Sequence, residues 1–124
     1  MKFLKTLVLT ISFLTVIDIG QAQAHSRLIS TSPRKDSIVS EKTSKLVLTF
    51  NEDLLNIQGK KTNFITMTNP AGKTVTLNSL TVSHNVLRAS LNPRRISSGV
   101  YVVSYRVVSA DGHPIIGRFT FTVK

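Results

Sequence analysis

The sequence contains no cysteine and no tryptophan among its 124 residues. Without a thiol the chain cannot form disulfide bonds, iron–sulfur clusters, zinc fingers, c-type haem attachments or blue-copper electron-transfer sites. Any metal site must therefore be built from nitrogen and oxygen donors. This requirement draws attention to the three histidines of the chain, His25, His84 and His113.

Acidic residues are also scarce, with 6 Asp and Glu against 16 Lys and Arg and a formal net charge of +10. A single-stranded nucleic-acid surface would combine basic residues with aromatic side chains on which bases stack. Aromatic residues make up only 6% of this chain, and most fall at alternating core positions. We therefore expect no nucleic-acid partner and interpret the excess charge as a basic, solvated surface, with a surface that faces anionic lipid or an acidic partner as the alternative.

The first 24 residues have the pattern of a cleaved signal peptide. Lys2 and Lys5 precede an uncharged apolar run at 7–17, and Ala22-Gln23-Ala24 supplies the small-x-small motif of a signal-peptidase site. The run is too short for a transmembrane helix, which needs about 20 apolar residues. The sequence thus predicts export, cleavage after Ala24 and a single exported domain that begins at His25.

The domain at 25–124 is predicted to be all-β. Leu46, Leu48 and Phe50 fall at alternate positions on one face of a strand, and no stretch keeps a helical period over three turns. Short alternating runs between turn signals are typical of an antiparallel β-sandwich or a Greek-key barrel. Tyr101 matches the position of a tyrosine found in immunoglobulin-like sandwiches. The predicted strands are 46–50, 64–68, 74–82, 86–91, 100–108 and 118–124.

Asp111 and His113 form the clearest chemical pair, between the last two predicted strands. In an extended backbone, side chains two residues apart leave on the same face, and Gly112 between them gives the backbone freedom to bring them together. The alternative is an ordinary Asp-Gly hairpin turn with His113 as a chance neighbour. Spacing does not decide between the two.

His25 gains a second donor after cleavage, because its α-amine and its imidazole can chelate one ion. Alternatively, a histidine follows the cleavage site by chance. Taken together, His25, Asp111 and His113 would offer three nitrogens and one carboxylate oxygen. A tetragonal set of this kind favours Cu(II), whereas Zn(II) would take the same donors in tetrahedral geometry.

The sequence resembles the CopC family of periplasmic copper-resistance proteins over nearly all of the residues after the predicted leader. The resemblance rests on the start at His25 and on the motif that ends in Asp111-Gly112-His113-Pro114. It also includes the segments Thr31-Ser32-Pro33, Leu48-Thr49-Phe50-Asn51-Glu52, Ser98 to Ser109 and Gly117-Arg118-Phe119-Thr120-Phe121.

The resemblance implies a cupredoxin-like or immunoglobulin-like β-sandwich that binds one Cu(II) per chain. The implied ligands are His25, through its amine and imidazole, with Asp111 and His113. Glu52 matches an acidic position near that site and is interpreted either as an axial or outer-shell oxygen donor or as an ordinary exposed loop carboxylate. The implied role is to sequester, buffer or deliver copper in the periplasm, with an inner-membrane copper transporter as partner. The protein is expected to be monomeric and not an enzyme.

Two other functions are compatible with these residues. An amine–imidazole copper site is similar to that of lytic polysaccharide monooxygenases, although those enzymes have larger domains and a second histidine as the third donor. The second alternative function is that of a metal-free β-sandwich that binds a partner.

Some CopC members also hold Cu(I) with a methionine-rich loop. Here Met67 lies on a predicted strand and is interpreted as a core residue, and His84 is interpreted as a turn residue.

Overall fold

The chain folds into two β-sheets packed face to face in a computed structural model, which describes residues 27–40 and 42–124. The predicted leader and His25 lie outside the described residues. Within those ranges no helix has the length and apolar character needed to cross a membrane. A single turn of 3-10 helix covers Pro93–Arg95. The strands are β1 (Leu28–Ser32), β2 (Ile38–Val39), β3 (Lys45–Phe50), β4 (Phe64–Thr68), β5 (Thr74–Val75), β6 (Ser79–Ser83), β7 (Val86–Ser90), β8 (Gly99–Val108) and β9 (Pro114–Val123).

One sheet has four strands in the order β1-β3-β7-β6, and the other has five in the order β2-β9-β8-β4-β5. All neighbouring strands run antiparallel except the short pair β2–β9, which is parallel. The longest ladder joins β8 to β9 from Gly99↔Val123 to Val108↔Pro114. The predicted all-β sandwich is confirmed.

The core lies between the two sheets and is built from the alternating positions of each strand. Because successive side chains of a strand point to opposite faces, every second residue can be apolar and buried. Leu46, Leu48 and Phe50 of β3 are buried as predicted, and so are the inward residues of β9. Those inward residues are Phe119, Phe121 and Val123.

The structure corrects the predicted strand at 74–82. This run is divided into β5, which pairs with β4 in one sheet, and β6, which pairs with β7 in the other. The chain crosses between the sheets at 76–78. The alternation changes phase at this point, because Val75 and Leu77 occupy odd positions whereas Leu80 and Val82 occupy even ones. The adjacent polar residues Asn78 and Ser79 are the signal that could have indicated the crossing. Strands β1 and β2 were not predicted, and β9 begins at Pro114 instead of residue 118.

Tyr101 ties the end of one sheet to the preceding loop. Its hydroxyl accepts a hydrogen bond from the Ser97 amide at 2.9 Å and donates one to the Ser97 carbonyl at 3.0 Å. Its ring stacks on Phe121, with centroids 5.5 Å apart. A tyrosine hydroxyl bonded to backbone a few residues upstream is also a feature of immunoglobulin-like sandwiches.

Met67 is completely buried in the core, as predicted. Replacing it with alanine leaves a cavity, so Met67→Ala should lower the free energy of unfolding by about 2–5 kcal/mol. Met67→Leu keeps the volume and should lower it by less than about 1.5 kcal/mol. Urea denaturation measures both. Equal, small losses for the two variants would show that Met67 is not tightly packed.

Candidate metal centre

The turn from Ser109 to His113 joins the two longest strands at one end of the sandwich. It is closed by a hydrogen bond from the Ser109 amide to the His113 carbonyl at 2.9 Å and by another from the Gly112 amide to the Ser109 carbonyl at 2.8 Å. Gly112 has a φ of +92°, a conformation that side-chain-bearing residues rarely adopt. The segment is thus a turn and not extended chain.

The turn nevertheless brings the predicted pair together. Asp111 Oδ2 lies 3.0 Å from His113 Nδ1, and both side chains are open to solvent, at 55% and 78% exposure. The His113 amide also points at Asp111 Oδ1, 3.3 Å away. The two donors are therefore held side by side by local backbone geometry and remain accessible to an ion from outside.

The buried Ser109 side chain is hydrogen-bonded to both Asp111 and His113. It is fully buried, and its hydroxyl donates a hydrogen bond to Asp111 Oδ1 while accepting one from the His113 amide at 3.2 Å. Ser109 belongs to the motif on which the resemblance rests, but no role was predicted for its side chain. A serine two positions before Asp-Gly is the signal that could have indicated this role, since serine hydroxyls bond to nearby backbone in turns.

These contacts stabilise the charged form of Asp111. The Ser109 hydroxyl, followed by the His113 side chain and amide, lowers the pKa of Asp111 from 3.8 to about 2. Because the folded-state pKa is the lower one, the carboxylate stabilises the fold above the unfolded-state pKa, and this contribution is lost as the pH falls towards 2. At any pH where a histidine is neutral, Asp111 is therefore already ionised.

Removing the serine hydroxyl should raise the Asp111 pKa towards its ordinary value, because that hydroxyl is the largest cause of the shift. An NMR titration of the Asp111 carboxyl carbon in Ser109→Ala, compared with Ser104→Ala, measures the effect. An unchanged titration in Ser109→Ala would show that the hydrogen bond does not act on the carboxylate.

Main-chain hydrogen bonds connect this turn to the beginning of the described chain. The Arg27 amide donates to Asn51 Oδ1 at 2.6 Å, and the Asn51 amide donates to the Arg27 carbonyl at 3.0 Å. Two residues further on, the Asp53 carbonyl accepts from the Ala110 amide at 2.9 Å. Arg27 and the Asp111 turn are thus bonded to the same short loop.

Glu52 lies in that loop and is half-buried. Across residues 27–40 and 42–124, no group of three or more His, Asp and Glu side chains comes close enough to hold an ion. Asp111 and His113 are therefore a pair in the described chain, and the role of Glu52 as an axial or outer-shell donor remains a prediction.

His84 lies at the same end of the sandwich, in the turn between β6 and β7, as interpreted from the sequence. Its φ is +52°, and its carbonyl accepts from the Leu54 amide at 2.9 Å. Its Nδ1 is 3.9 Å from Asp53 Oδ2, so a second, looser His–carboxylate pair faces solvent here.

Comparison with known proteins decides the family. The model of the CopC domain matches residues 28–124, the whole of the described sandwich. The chain belongs to the CopC family. It is 36% identical over 111 residues to Copper resistance protein C from Escherichia coli, covering 83% of this chain and 84% of that protein.

Solved CopC structures share the architecture. The crystal structure of CopC from Methylosinus trichosporium OB3b superposes with a TM-score of 0.66 at 26% identity, covering 81% of this chain and 94% of that one. PcoC from Escherichia coli, described as a methionine-rich copper resistance protein, gives a TM-score of 0.65 at 31% identity, covering 82% and 100%. This chain has only two methionines, Met1 and the buried Met67, so it does not share that richness.

Proposed function

We propose that this CopC-family chain is a copper-resistance protein that binds one Cu(II) per chain and sequesters, buffers or delivers it. The observation that carries the proposal is the 3.0 Å separation of Asp111 Oδ2 and His113 Nδ1 at the open end of the sandwich. Two donors with metal bonds of about 2.0–2.1 Å at right angles to each other stand about 2.9 Å apart. The pair therefore already has the spacing of neighbouring ligands on a tetragonal ion.

The chain path supports His25 as the source of the remaining two nitrogens. His25 precedes Arg27 by two residues, and two residues of extended chain reach about 7 Å. Arg27 is hydrogen-bonded to Asn51, and the same loop is bonded to Ala110 beside Asp111. The α-amine and imidazole of a processed His25 would add two nitrogens to the His113 nitrogen and the Asp111 oxygen. The resulting set of three nitrogens and one carboxylate oxygen suits Cu(II).

The proposed role is binding and not catalysis. The relatives of this chain are named for copper resistance, and the ligand pair sits on an exposed turn rather than in a substrate cleft. An exposed site suits exchange of an ion with a partner, and we propose that this partner is an inner-membrane copper transporter. The protein would act as a monomer.

Export is part of this proposal, because the amine of His25 exists only after cleavage behind Ala24. Periplasmic material analysed by intact-mass spectrometry should give the mass of a chain that starts at His25. A chain that starts at another residue would remove the amine from the site and contradict the proposed ligand set.

The decisive experiment is a Cu(II) titration of the processed protein monitored by electron paramagnetic resonance. We expect saturation at one equivalent and a tetragonal spectrum with splitting from several nitrogens. A competing titration with Zn(II) tests which ion the site prefers, because divalent affinities for nitrogen and oxygen donors rise to a maximum at copper. Absence of Cu(II) binding at every concentration tested would contradict the proposal.

Cu(I) should bind poorly to the same protein. Soft thioether and thiolate donors select Cu(I), and the processed chain contains no cysteine and only Met67, which is buried among core residues. Competition with a Cu(I)-selective chelator under anaerobic conditions measures the affinity. Cu(I) binding tighter than Cu(II) binding would contradict the assignment of the oxidation state.

A further inference from the structure

The outer face of the five-stranded sheet carries a groove that the proposed metal site does not use. Two cross-strand rows line it, since Arg106 of β8 lies between Phe64 and Ile116, and Ser104 lies between Thr66 and Arg118. The groove has a volume of about 430 Å³. Its side walls are two large apolar side chains left open to solvent, Phe64 at 43% and Ile116 at 74% exposure.

The charge of this groove is entirely positive. Arg106 and Arg118 are the charged residues of its lining, which includes no acidic side chain. Neither guanidinium forms an ion pair with a carboxylate in the described ranges. Apolar walls next to two guanidinium groups without ion-pair partners suit a ligand that combines carboxylates with apolar groups, because arginine forms strong paired hydrogen bonds with carboxylates.

The adjoining edge of β9 indicates that the ligand is a peptide. The Thr120 carbonyl and the Thr122 amide bond to the segment before β2, so the even-numbered residues of β9 point their backbone groups away from β8. By the same alternation, the N–H and C=O groups of Ile116 and Arg118 face that edge, and among the described residues no strand pairs with them there. Backbone groups on such an edge can pair with an added strand.

The same edge disfavours a second copy of this chain. Pro114 begins the strand and has no N–H to offer, and Arg118 would meet another arginine-rich surface on a molecule with a net charge of +10. Proline and positive charge are features by which edge strands avoid pairing with themselves. An acidic strand would not meet this repulsion.

We propose that the edge of β9 and the neighbouring groove bind an extended acidic segment of a partner protein. The added strand would place an acidic side chain opposite Arg118 and an apolar one opposite Ile116, because residues opposite each other across a strand pair have Cβ atoms about 4.5–5.5 Å apart. This surface is independent of the copper proposal, since none of its residues is a proposed ligand.

A synthetic peptide with matching chemistry tests this surface directly. The probe is acetyl-Glu-Thr-Val-Thr-Glu-Thr-Val-amide, which presents alternating acidic and apolar side chains on one face of a strand, and the control carries lysine at both glutamates. Titrations followed by NMR in the presence of a chelator keep metal out of the experiment. We expect the probe to shift the amide signals of Ile116, Gly117 and Arg118, and the control to shift none of them.

Two pairs of variants separate charge from backbone pairing. The double variant Arg106→Glu/Arg118→Glu should weaken probe binding by at least about tenfold, whereas Arg88→Glu/Arg94→Glu, with the same change in net charge, should not. Ile116→Pro removes one edge-facing N–H and leaves the β8 ladder intact, so it should weaken binding more than Ile116→Thr does. Far-ultraviolet circular dichroism verifies that each variant folds.

The proposal is overturned by three results. The first is a probe that does not bind the wild-type protein, and the second is equal binding by wild type and Arg106→Glu/Arg118→Glu. The third is a protein that does not bind the peptide but binds phosphatidylglycerol vesicles through the same arginines. That result would assign the surface to lipid. Since the experiment contains no copper, its failure would leave the metal proposal unaffected.

Discussion

A single residue added before His25 is expected to weaken Cu(II) binding by at least about a hundredfold, because each 1.4 kcal/mol is a factor of ten and a good ligand is worth several. The extension turns the α-amine into an amide nitrogen, which binds a metal only after losing its proton. It also breaks the chelate ring that orients the imidazole. Both effects act in the same direction.

Competition titrations of the extended and the processed protein against one chelator measure this change. The fold should be unaffected, since a chain terminus adds little to the core, and thermal unfolding of the metal-free proteins serves as the control. If the extended protein binds Cu(II) as tightly as the processed one, the amine is not a ligand and His25 acts through its ring alone.

Replacing His113 with alanine should have an effect of similar size. Even outer-shell partners of metal ligands typically contribute about 10–100-fold to affinity, so loss of a direct ligand should weaken Cu(II) binding by about a hundredfold or more. The His113 side chain is largely exposed, so the free energy of unfolding of the metal-free protein should change little. Competition titration and loss of one nitrogen splitting in the paramagnetic resonance spectrum report the change.

His84→Ala is a matched control for this variant. His84 is also an exposed histidine beside a carboxylate at the same end of the molecule, with 3.9 Å between Nδ1 and Asp53 Oδ2 instead of the 3.0 Å of the Asp111–His113 pair. We expect His84→Ala to bind Cu(II) like the unaltered protein. Equal losses in His84→Ala and His113→Ala would place the ion between the two pairs and not on Asp111 and His113.

Strands with a strict polar–apolar alternation were predictable from the sequence. The run 64–68 matches β4 at both ends, and the buried positions of β3 and β9 follow directly from the period of two. β1 was not predictable in this way, because only Leu28 and Thr31 of its five residues are partly buried and the rest are exposed. Its existence depends on pairing with β3, which a local pattern does not contain.

The candidate site was also predictable only in part. The adjacency of Asp111 and His113 could be predicted because both lie in one turn, where sequence separation limits the distance. Hydrogen bonds between segments far apart in sequence bring together four residues at one end of the sandwich, and no local pattern predicts them. These residues are Asn51, Asp53, His84 and Ala110. Donor chemistry and the family resemblance both suggested that His25 joins Asp111 and His113, which stays a prediction. The supporting position of Ser109 became apparent only from its burial.

The position of β1 at the edge of its sheet has a consequence for the dynamics of the metal-loaded protein. Among the described strands, β1 is hydrogen-bonded to β3 alone, so local opening can begin at this strand without disturbing the centre of the sandwich. An ion bound by His25 and by the last hairpin would join the two ends of the folded chain and hold β1 against opening. Amide hydrogens of β1 should therefore exchange more slowly with solvent when copper is bound, and hydrogen exchange of the metal-free and metal-loaded proteins measures this change.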